Sequence, residues 1–363
     1  MIRLLIVDDS PLMRRLLGEL FAAEADFQVS VARNGAEALE ALRNERPDVI
    51  TLDIQMPEMN GLDCLDRIML ERPTPVVMAS ALTVEGATEA LTALELGAVE
   101  VIAKPAGALS LSMDEFGPVL VAKVRAAAAA RIPKARRLRD RVHAQVQGRE
   151  VTPARTPPRV HAACRPAAAY RSGAGLVILG ASTGGPPALD AVLCALPEDY
   201  PWPVVIAQHM PATFTGALAR RLDGLTGLTV REVVGPTVLQ PGCAYLARGD
   251  ADMILSLRRE GLVALGAPAD PARRWHPSVD RLVESAMAAL PPEQIIGVLM
   301  TGMGNDGAGA MGRLQAAGGR TIAQDEASSV VWGMPGELVR SGGAGRVEPI
   351  EHIGRALIEA VTT

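Results

Sequence analysis

A strand-like apolar run that breaks into a glycine-rich turn constrains the fold of this sequence more than any other feature. Leu176–Leu179 has the composition of a buried strand, and it is followed by the turn GASTGG at positions 180–185 and by Pro186-Pro187. Proline suits the first turn of a helix, so the pattern predicts strand, tight turn and helix, with Ser182 at the helix N-terminus. Because backbone N–H groups there stabilise a developing oxyanion, the segment predicts a nucleophilic serine.

Two further apolar runs of the carboxy-terminal half end in groups that a nucleophilic serine needs. Val204–Ala207 leads into His209, and Ile295–Met300 leads into the loop TGMGNDG, which contains Asp306. Loops that follow parallel strands meet at one sheet edge, so Ser182, His209 and Asp306 are expected to lie together. An imidazole base activates the hydroxyl and a carboxylate orients the imidazole, so this set predicts a serine hydrolase.

The glycine-rich loops of this half supply further candidates. Thr183 and Met303 are expected to provide backbone N–H groups or orienting contacts near the reacting centre. The chain order Ser, His, Asp differs from the Ser, Asp, His order of α/β-hydrolases, so the GxSxG turn does not place the chain in that superfamily. The turn is neither a GxGxxG nor a GxxxxGK[ST] loop, and no cofactor is expected at this site.

Residues 1–122 alternate short apolar runs with helical patterns, which predicts a doubly wound parallel sheet of the α/β class. The five runs are Leu4–Val7, Val29–Val31, Val49–Leu52, Val76–Met78 and Val99–Ile102. Chemically distinctive residues follow or end four of these runs, namely Asp8, Asp9, Asp53, Ser80 and Lys104. Since ligands of such sheets collect at the carboxyl ends of the strands, a second site is expected there.

The acidic members of this second set predict a metal site. Asp8, Asp9 and Asp53 repel one another unless a cation is present, and oxygen-only ligands suit Mg²⁺. The cation would neutralise a phosphoryl group during its transfer to Asp53. Ser80 is expected to hydrogen-bond the resulting phosphate, and Lys104 to pair with it.

Charge divides the chain into three parts. Residues 1–122 have a net charge of -11, residues 123–172 one of +11, and residues 173–363 one of -5. The middle part is rich in alanine and proline, and it is predicted to be a linker between two α/β domains. Its basic residues would suit nucleic acid or an acidic protein face, but neither flank resembles a DNA reader, so no nucleic-acid partner is expected.

Cysteine spacing and hydropathy restrict the compartment. The four cysteines show no CxxC spacing, so neither a disulfide framework nor a zinc site is expected, and the predicted location is the cytoplasm. No apolar stretch approaches the roughly 20 residues that cross a bilayer, so no membrane insertion is expected.

Residues 1–122 resemble the flavodoxin-like receiver domain of two-component response regulators. The matching segments are VDDS at 7–10, LDIQMP at 52–57, NGL at 60–62, SA at 80–81 and KP at 104–105. The resemblance implies that Asp53 is the phospho-acceptor and that a CheA-type histidine kinase is the phosphodonor. It also implies that Asp9 and Asp53 bind Mg²⁺ directly together with the carbonyl of Gln55, and that Asp8 acts through water.

Over nearly its whole length the chain resembles the CheB family of chemotaxis protein-glutamate methylesterases, in the order receiver, linker and Rossmann-like esterase domain. The further matching segments are GASTGG at 180–185, QHMP at 208–211, PSVD at 277–280, TGMGNDG at 301–307, QDE at 324–326 and GMP at 333–335. The resemblance implies Ser182 as nucleophile, His209 as general base and then acid, and Asp306 as orienting carboxylate. The implied substrates are glutamate γ-methyl esters and glutamines of chemoreceptors.

The chain departs from the family pattern at two places. ARGDAD at 247–252 stands where APGxxH is frequent, and His276 stands where an arginine is frequent. Two other functions also stay open on the sequence, namely a response regulator with a binding output and a general ester or amide hydrolase with an attached receiver. Methanol release from a methyl-labelled receptor would separate these interpretations.

Overall fold

A computed structural model gives the positions of residues 1–80, 83–104, 109–131 and 175–362. The chain forms two compact units, Met1–Arg155 and Thr156–Thr363. Most of the predicted linker, residues 123–172, lies outside the described residues, so the predicted boundaries at 122 and 172 stay predictions. The last described helix of the first unit continues past residue 122 and ends at Ala128.

The amino-terminal unit alternates strands and helices along the chain. Its elements are β1 (Ile2–Val7), α1 (Pro11–Ala22), β2 (Phe27–Ala32), α2 (Gly35–Asn44), β3 (Val49–Asp53), α3 (Gly61–Glu71), β4 (Val76–Ser80), α4 (Val84–Leu96), β5 (Glu100–Ala103) and α5 (Leu109–Ala128). The five strands pair in parallel in the order β2-β1-β3-β4-β5. Because crossovers between parallel strands are right-handed, a chain that winds from β1 toward both sheet edges has helices on both faces. The strand order is that of the flavodoxin-like fold, which confirms the predicted fold.

The candidate site residues of this unit lie at the ends of buried strands. Every residue of β3 and of β4 is buried, so Asp53 and Ser80 are the last residues of two core strands. Helix α1 begins directly after the acidic pair that follows β1, because the Ser10 side chain accepts the N–H of Met13 as an N-cap. The acidic pair is thus held between a buried strand and a capped helix.

The carboxy-terminal unit is a second α/β domain. Its elements are β6 (Leu176–Ala181), α6 (Gly185–Cys194), β7 (Val204–Gln208), α7 (Ala212–Leu225), β8 (Thr229–Val233), β9 (Thr237–Val238), β10 (Cys243–Ala247), β11 (Ala251–Arg258), β12 (Gly261–Pro268), α8 (Val279–Ala289), a 3-10 turn (Pro292–Gln294), β13 (Ile295–Leu299), α9 (Ala308–Ala316), β14 (Arg320–Gln324), α10 (Met334–Arg340), β15 (Arg346–Glu348) and α11 (Ile350–Thr362). Seven strands pair in parallel in the order β15-β14-β13-β6-β7-β10-β8.

The order of this sheet creates a crevice at its centre. The chain leaves β6 toward β7 on one side and returns to β13 on the other, so β6 and β13 flank a topological switch point. Ligands of open α/β sheets bind outside the carboxyl ends of the strands at such a point. The strands β6, β7 and β13 are buried along their whole length, so the loops that follow them start from a rigid base.

A small antiparallel sheet of this unit was not predicted from the sequence. Its order is β11-β12-β9, and β11 pairs with β12 from Ala251↔Pro268 to Arg258↔Gly261. The burial pattern along β11 does not alternate strictly between buried and exposed residues, so the period-2 signal of a half-buried strand is weak there.

Two observations relate to the expectations from hydropathy and cysteine spacing. Within the described ranges, no helix is both long and apolar enough to cross a membrane. Cys243 is disulfide-bonded, whereas Cys64 and Cys194 are free. The absence of CxxC spacing did not reveal this disulfide, because pairing depends on how closely two cysteines approach in space.

Candidate active site

Ser182 lies in the turn between β6 and α6. Its N–H donates to the carbonyl of Thr301 at 3.0 Å, and its own carbonyl accepts the N–H of Gly185 at 2.7 Å. These bonds tie the turn to the loop after β13 and to the start of α6. The residue is 5% exposed, so the strand, turn and helix that the sequence predicts hold this serine at the edge of the crevice.

The loop after β13 approaches Ser182 so closely that position 302 has room only for glycine. A Cβ on Gly302 would lie 2.7 Å from the Cβ of Ser182 and 3.0 Å from its backbone nitrogen, well inside the optimal separation of non-bonded atoms. The neighbouring Thr301 hydroxyl donates to the carbonyl of Thr183 at 2.9 Å. The loops that carry Thr183 and Met303 are therefore adjacent, as their predicted role beside the reacting centre requires.

His209 follows β7, the strand next to β6. Ala181 and Gln208 are register partners in the parallel ladder, so Ser182 and His209 are the next residues along the two strands. Nε2 of His209 lies 2.8 Å from Oδ2 of Asp306, and Nδ1 is buried without a hydrogen-bond partner among the described residues. Nδ1 is therefore the nitrogen that remains to take a proton from a hydroxyl.

Asp306 is held by the first residues of α8. Its Oδ2 accepts the N–H of Val279 at 2.7 Å, and its Oδ1 accepts the Ser278 hydroxyl and the N–H of Asp280, both at 3.1 Å. Burial raises the pKa of Asp306, but the hydrogen bonds from His209 and from these backbone amides outweigh burial, so the pKa lies below its ordinary value. A carboxylate in this state suits the task of orienting an imidazole.

Two residues of this site were not singled out as candidates from the sequence. Nε2 of Gln208 donates to the carbonyl of Ser182 at 2.9 Å and to that of His209 at 3.2 Å, so it fastens both turns. Ser278 is the N-cap of α8 and also contacts Asp306. The sequence could have indicated Ser278, because a serine before a helical pattern is a recognisable N-cap signal. It could not have indicated Gln208, because a polar residue at the end of a buried strand has no specific meaning.

In the amino-terminal unit, Asp8, Asp9 and Asp53 meet at the carboxyl edge of the sheet. One carboxylate oxygen of each lies within 4.8 Å of the other two. Clustered carboxylate oxygens are the donors that Mg²⁺ takes from proteins, so these residues fit the predicted cation. When bound, the cation would supply positive charge against both the carboxylates and an incoming phosphoryl group.

Lys104 lies against the two buried carboxylates of this cluster. Its Nζ is 2.9 Å from Oδ2 of Asp8 and 2.7 Å from Oδ2 of Asp53. Burial raises the pKa of Asp53 and outweighs the opposing effect of Lys104. Burial lowers the pKa of Lys104, but its hydrogen bonds with both carboxylates more than reverse this effect, so its pKa lies above the ordinary value.

The two remaining predicted residues of this cluster lie on neighbouring segments. Ala79 is the register partner of Asp53, so Ser80 lies one residue beyond it, and the Ser80 hydroxyl donates to the carbonyl of Gly86 in α4 at 2.9 Å. The Gln55 N–H lies 3.3 Å from Oδ1 of Asp53 and donates to it. The roles of Ser80 and of the Gln55 carbonyl stay predictions.

The two folds and their sites define a class of protein, a response regulator whose receiver unit is joined to an α/β hydrolase unit. A family model described as response regulator receiver domain matches residues 4–112, and one described as CheB methylesterase matches residues 177–357.

Relatives with established names match almost the whole chain. A protein-glutamate methylesterase/protein-glutamine glutaminase from Rhodopseudomonas palustris (strain BisB18) is 55% identical over 99% of this chain and 98% of its own length. One from Rhodospirillum rubrum is 52% identical over 98% of this chain and 95% of its own length. The chain belongs to the CheB methylesterase family, which confirms the resemblance found in its sequence.

A solved structure agrees with this family assignment. The crystal structure of the Thermotoga maritima CheB methylesterase catalytic domain matches with a TM-score of 0.50 and 36% identity, and the match covers 51% of this chain and 98% of that domain. The second α/β domain predicted from the sequence is thereby confirmed as a fold.

Proposed function

We propose that this protein is a phosphorylation-regulated serine hydrolase of chemotaxis, which removes methyl groups from glutamate γ-methyl esters of chemoreceptors and deamidates receptor glutamines. The names of its relatives support this substrate class. The observation that carries the proposal is the contact of His209 with Asp306 at the strand end beside Ser182. A regulator whose output is binding alone has no need of that arrangement.

In the proposed reaction the Ser182 hydroxyl oxygen attacks the ester carbonyl carbon, while Nδ1 of His209 takes the hydroxyl proton. Asp306 stabilises the imidazolium through Nε2, and N–H groups of the loops that hold Thr183 and Met303 donate to the oxyanion. The imidazolium then gives its proton to the departing oxygen, which leaves as methanol. With a glutamine substrate, the leaving group is ammonia.

Water completes the proposed cycle. His209 takes a proton from water as the water oxygen attacks the acyl carbon, and the imidazolium then protonates the departing Ser182 oxygen. The products are a glutamate carboxylate and the free enzyme. Because the site needs only the hydroxyl, the imidazole and the carboxylate for these steps, no cofactor is proposed there.

In the receiver unit, Asp53 is the proposed phospho-acceptor and a CheA-type histidine kinase the proposed phosphodonor. The residues that would hold Mg²⁺ are Asp8, Asp9, Asp53 and, through its carbonyl, Gln55. Lys104 would pair with the phosphate and the Ser80 hydroxyl would donate to it. Since the proposed substrates are on the cytoplasmic helices of receptors, the proposed location is the cytoplasm.

Replacement of the proposed nucleophile tests this function. In Ser182→Ala, methanol release from methyl-labelled receptor membranes should fall by at least about a thousandfold, while a small phosphodonor still phosphorylates the protein. The matched control is Ser341→Ala, at an exposed serine after α10, which should release methanol as the wild type does. Retained release in Ser182→Ala would place the nucleophile elsewhere. Wild-type cleavage of small esters without release from receptors would favour the general hydrolase.

A further inference from the structure

Trp275 is stacked against the imidazole of His209 in an offset arrangement with nearly parallel rings. The two ring centroids are 5.6 Å apart and the ring planes are inclined by 11°. The His209 side chain is 5% exposed, and Trp275, in the loop between β12 and α8, is half-buried. The indole therefore packs on part of one face of the imidazole of the proposed general base, and no step of the reaction above assigns it a role.

The same indole also contacts the loop that carries Met303 and Asp306. A Cβ on Gly304 would lie 3.2 Å from Nε1 of Trp275, so the edge of the indole lies against the backbone of that residue. Gly304 has a φ of +88°, which L side chains rarely adopt. The loop after β13 can accordingly pass close beside the ring, and Trp275 joins the loops of the proposed base and the proposed orienting carboxylate.

The flat indole of Trp275 restricts the tilt of the His209 ring, which the hydrogen bond of that ring does not fix. Nε2 has its partner in Asp306, whereas Nδ1 has none within the described part of the chain. One hydrogen bond fixes one nitrogen but leaves the ring free to tilt about that contact. A parallel aromatic face opposes such a tilt through its contact area, and it attracts an imidazolium electrostatically when the ring is protonated.

We propose that Trp275 is a positioning residue of the hydrolase, which holds the His209 imidazole in the plane where Nδ1 reaches the Ser182 hydroxyl and shields one ring face from water. This inference rests on the proposed function, because it assigns Trp275 a task in that reaction. The Arg274 guanidinium lies over the same indole, with Cζ 5.0 Å from the ring centroid. Trp275 therefore also contacts an exposed cation, in addition to the buried imidazole.

Substitution of Trp275 in the full-length protein tests the proposal. Trp275→Leu should lower kcat for methanol release by about tenfold and leave KM within about twofold, because the stack acts on the base and not on substrate binding. Trp275→Phe retains a flat ring and should recover most of the lost kcat. Trp275→Met, which keeps bulk without a ring, replaces the leucine variant if that variant does not fold.

The matched control is Trp202→Phe. Trp202 precedes β7 and so lies at the opposite end of that strand from His209, where the Arg320 guanidinium packs on it. This variant should keep the wild-type kcat. Wild-type kcat in the ring-less variant would overturn the proposal, and so would a phenylalanine variant as slow as the leucine or methionine variant.

A second readout separates this inference from the proposed substrate. A fluorophosphonate probe reacts with an activated serine without any receptor, and its rate of attachment to Ser182 should follow the same order, with wild type and Trp275→Phe ahead of Trp275→Leu. That order without wild-type methanol release would support the positioning role and defeat the receptor substrate. Methanol release with equal labelling rates in all Trp275 variants would defeat the positioning role alone.

Discussion

At the scale of single residues, the two nitrogen atoms of His209 have different tasks. Nε2 contacts Asp306, and Nδ1 has no hydrogen-bond partner among the described residues, so Nδ1 is the nitrogen proposed to take the proton of the Ser182 hydroxyl. The tautomer is assigned by the carboxylate, because an ionised carboxylate only accepts and therefore keeps the ring proton on Nε2. The N–H groups of Val279 and Asp280 keep that carboxylate in place.

Asp306→Asn tests this division of tasks. The amide nearly preserves the shape of the side chain, but it can present an N–H to Nε2, which selects the wrong tautomer, and it cannot stabilise an imidazolium by charge. We expect kcat to fall by about 10⁴-fold with little change in KM. Steady-state methanol release measures this loss, and Asp199→Asn, at an exposed position, is the control. An undiminished kcat would show that the imidazole is oriented by another group.

The approach of Ser182, His209 and Asp306 to one sheet edge could be predicted from the sequence, but the atoms that make their contacts could not, and their catalytic roles stay predictions. Ser182, His209 and Asp306 each belong to a loop that follows a buried apolar run, and parallel strands deliver such loops to one edge. The nitrogen that faces Asp306, and the indole of Trp275 that covers the ring, depend on loops far away in the chain. The local sequence pattern around each residue carries no information about these contacts between distant loops.

At the scale of secondary-structure elements, two carboxylates hold the N-terminus of α8. Besides Asp306, Asp252 accepts the N–H of Ser278 at 2.8 Å and lies 2.9 Å from Nδ1 of His276. Its other oxygen accepts from Nη1 of Arg281 at 2.7 Å. The sequence departs from the family pattern at Arg248, Asp252 and His276, and in the structure Asp252 and His276 are in direct contact.

Asp252→Asn is expected to destabilise the carboxy-terminal unit by about 2 kcal/mol at pH 7, because it removes charged hydrogen bonds from a buried group. Burial raises the pKa of Asp252, but hydrogen bonds from His276, Ser278 and Arg281 outweigh it and hold the pKa below the ordinary value. Such a carboxylate stabilises the fold fully above about pH 3.9, and its contribution is lost as the pH falls through the lower folded-state pKa.

Denaturant unfolding followed by tryptophan fluorescence measures this difference, since all three tryptophans, Trp202, Trp275 and Trp332, belong to the carboxy-terminal unit. The gap in unfolding free energy between wild type and Asp252→Asn should narrow as the pH is lowered toward 3. The matched control is Asp199→Asn, whose stability should follow that of the wild type. A gap that stays constant with pH would contradict the ionic role of Asp252.

The five strands of the first unit and the strands β6, β7 and β13 of the second were predicted from the sequence, whereas the antiparallel sheet was not. Core strands such as β3 and β6 are continuous apolar runs between turn signals, and burial on both faces produces that composition. The pairing of β11 with β12 joins residues of mixed burial, and the short β9 adds its two residues to the same sheet. The strands of this antiparallel sheet are therefore determined by pairing between distant segments rather than by local composition.

At the scale of the whole molecule, two units each carry their site at the switch point of their own parallel sheet. Asp53 ends β3 beside the acidic pair that follows β1, and Ser182 follows β6 beside the loop after β13. The two chemistries therefore use separate scaffolds. This separation predicts that each can be disabled without loss of the other.

A small phosphodonor with Mg²⁺ should raise the rate of methanol release by the full chain severalfold, because phosphorylation of Asp53 is proposed to favour the active arrangement. Asp53→Asn should show no such rise but should keep its hydrolase site. The matched control is Asp63→Asn, at an exposed position in the first turn of α3, which should respond as the wild type does. Equal rates before and after addition of the phosphodonor to the wild type would contradict this regulation.

The contact between Gly302 and Ser182 also bears on attempts to retarget this enzyme to other esters. In a directed-evolution library that varied position 302, every clone with a side chain there is expected to be inactive, because a Cβ at 302 would displace Ser182, the proposed nucleophile. Arg248 is exposed in the loop after β10, at the same edge of the parallel sheet, and substitutions at this position leave the contact between Gly302 and Ser182 intact. New substrate specificity should therefore be sought by varying exposed loop residues rather than position 302.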